Sequence, residues 1–70
     1  MNVREGMKVM VIHHMSNKGE VKEVYYVPVQ HGNAAGTFSK QMRVKFMSEL
    51  EGYGLQDFRA SDLMKVDDER

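Results

Sequence analysis

Seventy residues with 41% apolar content make a single domain near the lower limit at which one hydrophobic core suffices. Ten bases and ten acids cancel to zero net charge, which argues against nonspecific DNA binding driven by counterion release. The chain has no cysteine, excluding disulfide staples and thiolate metal sites, and no apolar run approaches the roughly 18–20 residues a membrane-spanning helix needs.

The opening "MNVREGMKV" meets a charge at once and lacks a signal-peptide apolar region, so a cytoplasmic protein is expected. "GMKVMVIHHM" alternates and is rich in Val and Ile, which predicts a strand followed by a turn at "SNKG". Val9 and Val11 share one face and Met10 and Ile12 the other, so the strand is expected to be covered on both sides. In "NKGEVKEVYYVPVQHG", Val21, Tyr25, Val27 and Val29 lie in one phase, and Val24 and Tyr26 in the other. A bend or bulge near Glu23 to Tyr25 reconciles them, because an inserted residue changes which face is inward. Pro28 has no N–H and is expected at an edge or strand end, where the chain leaves the sheet. Tyr25 and Tyr26 should point to opposite faces, one ring helping to fill the core and the other at the surface.

"QHGNAAGTFSKQ" breaks the periodicity with glycines and small residues, reading as a loop of about ten residues. "MRVKFM" is a clean alternation with Val44 and Phe46 inward and Arg43 and Lys45 outward. A competing helical spacing of Met42, Phe46 and Leu50 is weaker than this β pattern. "SELEGYG" is a turn, "LQDFRA" a fourth strand, and "SDLM" a helical turn capped by Ser61. "KVD" is a candidate fifth strand closing on the first. The domain is expected to span residues 1–67, with residues 68–70 a charged, fraying tail.

Charge is uneven along the chain. Seven bases stand against three acids up to Met47, and three bases against seven acids from Ser48 onward. Lys40, Arg43 and Lys45, beside Phe38 and with His31 in the adjoining loop, form the best candidate patch. Cations suit phosphates, and an aromatic such as Phe38, Tyr25 or Tyr26 suits the stacking of a base or the anchoring of a protein partner. The same charges also serve simply to keep an outward strand face soluble.

The segments "EGMKVMVIHHMSNKGEVKEV", "MRVKF" and "FRASDLMKV" together resemble SH3-like barrels of the KOW and Tudor type. In the first, a glycine precedes an alternating strand and a second glycine opens "GEVKEV", with Val21 and Val24 buried across a bend. In the last, Phe58, Leu63 and Val66 would plug the base. The resemblance implies an all-β fold: a small five-stranded SH3-like barrel with a single short helical turn before the last strand. It also implies a binding module. KOW domains touch RNA or the transcription and translation machinery, and Tudor domains bind protein tails through an aromatic cage, for which this chain offers too few uncommitted aromatics.

Catalysis and metal binding have little support. The chain has no P-loop, dinucleotide fingerprint or cysteine nucleophile. "Leu55-Gln56-Asp57-Phe58" is similar in position to the Val-Gln-Ile-Tyr of the type II dihydrofolate reductases, but Asp57 and Phe58 replace the residues that pore chemistry needs. His13 and His14, adjacent in a strand, would face opposite ways. The expectation is therefore a non-enzymatic module without cofactor, metal or small-molecule substrate. It would contact nucleic acid or a protein of the transcription or translation machinery through the basic strand. The alternative is a protein-binding adaptor or inhibitor, of the kind small bacterial or phage genes encode, using a Tyr/Met surface or a strand edge.

Overall fold

A computed structural model describes residues 2–30 and 38–66, and the side chain of Phe38 is outside the description. Five antiparallel strands form one sheet: β1 (Lys8–Val11), β2 (His14–Gln30), β3 (Phe38–Ser48), β4 (Leu55–Arg59) and β5 (Leu63–Lys65), in the order β4-β3-β2-β1-β5. One 3-10 turn, Ala60–Asp62, joins β4 to β5. The chain is all-β, as its alternation predicts. The sheet is open, with β4 and β5 as its edges, so the closed barrel expected from the sequence is not formed by the ladders described. No helix among the described residues is long and apolar enough to cross a membrane.

Several boundaries move. The predicted turn "SNKG" is strand: the chain reverses at Ile12 and His13, and β2 begins at His14. Gly19 explains why a turn-like composition is paired backbone there. An added Cβ would stand 1.7 Å from the Met47 carbonyl oxygen, so glycine marks a close strand approach and not a reversal. The bulge falls one step earlier than expected. The register of β2 against β3 shifts between Val21 and Glu23, leaving Lys22 as the extra residue. Lys40 and Gln41, predicted as loop, belong to β3, and the helical spacing of Met42, Phe46 and Leu50 loses to strand. The last strand is Leu63–Lys65, two residues before "KVD". Ser61 does not cap the 3-10 turn, whose N-cap position is Arg59 with no side-chain hydrogen bond. The tail at 68–70 lies outside the described residues.

The core is small: Val9, Val11, Val21, Val44, Phe46 and Leu63 are buried, with Met7, Val24, Met42 and Phe58 packed against them. Phe46 and Phe58 stack at 5.9 Å between ring centroids. The second face of β1 is not covered as expected, since Ile12 is 40% exposed and Met10 half-buried. Asn17, also buried, is satisfied by Ser48, whose hydroxyl donates to its Oδ1 at 2.7 Å, and its amide donates to Gln56 at 3.4 Å. The same Ser48 oxygen accepts the Leu50 N–H at 3.1 Å. A buried polar group thus ties β2 to β3, to β4 and to the turn that follows β3.

Along its length β2 serves two ladders, which overlap at Gly19 and Glu20, just before the bulge. His14 and Lys18 to Glu20 pair with β1, the register shifting between Met10 and Val11, and Gly19 to Gln30, Lys22 excepted, pair with β3. β4 in turn covers β3 only from Arg43 to Met47. Beyond Tyr25 and Arg43, β2 and β3 therefore run on together as a two-stranded arm, and the molecule measures 47 × 26 × 20 Å.

Candidate binding arm

Cross-strand register sorts the candidate residues onto two faces. Tyr25 stands opposite Arg43, and Glu23 opposite Lys45, which is opposite Asp57 in β4. These form the outer face, away from the core residues Val44 and Phe46. Tyr26 stands opposite Met42, and Pro28 opposite Lys40, on the core-side face. Regular strand from Phe38 onward thus puts Lys40 on the other face from Arg43 and Lys45. The expected three-cation patch is split. His31 lies outside the described residues.

On the outer face the cations are occupied. Arg43 Nε donates to Asp57 Oδ1 at 3.1 Å, and the Tyr25 hydroxyl donates to Asp57 Oδ2. Lys45 pairs with Glu23 at 3.7 Å and sits 5.5 Å from the centre of the Tyr25 ring. The Tyr25 hydrogen bond, with Arg43 behind it, holds the Asp57 carboxyl below its ordinary range. Reciprocally, the bond to Asp57 raises the Tyr25 phenol, because ionising it would lose that donor. Asp57 also raises the Arg43 guanidinium. Neither tyrosine is in the core: Tyr25 is half-buried under this network, and Tyr26, on the core-side face, is 56% exposed because the core ends before reaching it. The expected division into one ring in and one ring out is correct for faces and incorrect for burial.

The arm's edges are the feature that composition did not reveal. The Ser48 N–H donates to the Gly54 carbonyl at 3.0 Å, on the side of β4. Alternation along an antiparallel strand then turns the N–H and C=O of Lys40 and Met42 the same way, away from β2. β4 ends its pairing at Arg59 opposite Arg43, so those groups of Lys40 and Met42 have no strand neighbour among the described residues. Pro28 lies directly across from Lys40, so its nitrogen also points out of the β2–β3 ladder, where a missing donor costs the pairing nothing. Pro28 is therefore an edge proline, as predicted, but the strand does not leave the sheet there: Val29 and Gln30 continue paired with Ser39 and Phe38.

Beside the outer end of β4, a groove lined by Gln41, Met42, Ala60, Ser61 and Leu63 opens along the β3 edge. Elsewhere, Met47 and Leu55 form an exposed cross-strand pair on the outer face, and Met64 lies opposite Met10. Among the described residues no cluster of His, Asp and Glu has the make-up of a metal site, and His14 instead meets the Tyr53 ring edge-on at 6.1 Å. Comparison with protein families, curated proteins and solved structures returns no match.

Proposed function

We propose that this protein is a non-enzymatic β module of the SH3-like kind that binds another protein through the arm formed by β2 and β3. The observation that carries the reading is the arm itself. From Val24 to Gln30 β2 has no strand neighbour except β3, and from Phe38 to Met42 β3 has none except β2, among the described residues. Two-stranded ribbons are marginal alone in water, and "VYYVPVQ" carries no charge to keep this one solvated. An unpaired edge next to apolar and aromatic side chains suits a partner that supplies backbone and surface together. The strand order, with one helical turn before the last strand, supports the SH3-like part of the reading.

The nucleic-acid reading loses support at the same residues. Arg43 and Lys45 are engaged by Asp57 and Glu23, and a phosphate would have to share each cation with a carboxylate of like charge to itself. A photo-crosslinking amino acid placed at Val27, and separately at Lys22 outside the arm, tests the choice in the cells that make the protein. Discrete protein adducts from Val27 but not from Lys22 are expected. Nucleic-acid adducts, or no difference between the positions, would overturn the reading.

A further inference from the structure

We infer that the β3 edge from Phe38 to Met42 is a slot for an extended, acidic segment of a partner protein, added as a strand in line with β4. This rests on the protein-binding reading above and names which edge is used and by what chemistry.

The two edges of the arm are not equivalent. On β2, the outward positions include Pro28, which removes one of the donors an added strand would need. On β3, the outward positions Phe38, Lys40 and Met42 all keep both donor and acceptor. The sheet is already interrupted there: β4 pairs with this edge up to Arg59, where the 3-10 turn begins and lies against β3. A strand arriving from outside continues the line β4 abandons, running antiparallel to β3 as β4 does. Its residue facing Met42 would enter the groove between Met42, Ala60 and Leu63, which suits an apolar side chain. Two residues further on, its side chain would lie beside Lys40 on the same face.

Charge selects the occupant. Lys40 is exposed and has no ion-pair partner among the described residues. Arg43 and Arg59 face each other at the mouth of the slot, each with one carboxylate, Asp57 and Asp62. The chain from Val24 to Ser48 contains no acid. A second copy pairing edge to edge in the register that uses all three outward residues would set Lys40 against Lys40, with no acid in either arm to offset it. Like charges directly opposite are unfavourable and opposite ones favourable. The slot therefore asks for an apolar residue followed, two positions later, by Asp or Glu.

The test uses the full chain and N-acetylated eight-residue peptides of alternating Thr and Val. Each carries Glu, Gln or Lys two residues after the Val placed to face Met42, and binding is followed by amide chemical shifts. The Glu peptide should bind tightest, about five- to tenfold ahead of the Lys peptide, with shifts concentrated from Phe38 to Met42. Lys40→Glu, at an exposed position, should reverse the order. Lys40→Pro removes an N–H that points out of the ladder, and should abolish binding while leaving the Val44 and Phe46 amides as protected as before. Equal affinities for the Glu and Lys peptides, shifts on the β2 edge, no binding by any peptide, or dimerisation through the β3 edge would each overturn the inference. Arm-specific protein adducts from Val27 alongside any of these would leave the protein-binding reading standing without this slot.

Discussion

Gly19 and Tyr25 are the two residues whose chemistry the fold constrains most visibly. At Gly19 the β2 backbone lies against the Met47 carbonyl, and a Cβ would meet backbone atoms that have no rotamer to change. Gly19→Ala must therefore part β2 from β3 where β2 passes from one ladder to the other. We expect a loss of about 3 kcal/mol, against a total of about 4–10 kcal/mol for a chain this long, read as a lowered urea midpoint. Around Tyr25 the prediction concerns pH. Asp57 is shifted down on folding, so its contribution is present above the ordinary carboxylate pKa and fades as pH falls through the lowered folded value. Tyr25 is shifted up, so its contribution is complete below the ordinary phenol pKa of about 10 and fades as pH rises through the raised one. The network is thus intact across the neutral range. Asp57→Ala should return the Tyr25 titration, followed by its ring carbon resonance, toward the ordinary phenol value. An unchanged titration would show that Asp57 does not govern it.

At the level of single elements, alternation made the short strands legible, and close approach made the long one difficult. "MRVKFM" reads inward at Val44 and Phe46 because its two faces differ in kind, and both residues are fully buried. "SNKG" reads as a turn because glycine beside polar residues usually is one. Only the proximity of Met47, 28 positions away in sequence, reveals that the glycine serves packing. The split of Lys40 from Arg43 and Lys45 was hidden for a related reason: glycines and small residues upstream masked where β3 begins, and with it the phase of Lys40. The Tyr25–Asp57–Arg43 group spans three strands, so no local spacing announces it. Pro28 was legible in type but not in consequence, since its role depends on which way its nitrogen faces. Pro28→Thr restores an outward donor and leaves the β2–β3 ladder alone, so the thermal midpoint should change little. Self-association in sedimentation should rise with concentration, because the edge would lose its block. A large fall in midpoint instead would place Pro28 inside the ladder.

For the whole molecule, stability and the proposed binding surface are carried by different parts of the same two strands. Among the described residues, the six buried core residues lie outside the arm: Val9, Val11, Val21, Val44, Phe46 and Leu63 belong to β1, the first half of β2, the second half of β3 and β5. Val24 at the base of the arm and Met42 within it pack against the margin of that core, and Tyr26, Pro28, Gln30 and Lys40 are exposed. Division of this kind lets an edge stay unpaired without endangering the fold, because opening of the ribbon exposes little buried apolar surface. It also makes the arm separable. Val27 and Gln41 face each other, and both aim their backbone groups into the ladder, so they can close a two-residue hairpin. Replacing residues 28–40 with Asn-Gly supplies the type I′ turn such a closure needs. The shortened chain keeps Val24, Tyr26 and Met42, and should unfold in one cooperative transition within about 5 °C of the parent. It should lose the arm-dependent protein contacts completely. If it fails to fold, the arm belongs to the stability of the domain, and the exposed edge is a by-product of packing elsewhere in the sheet.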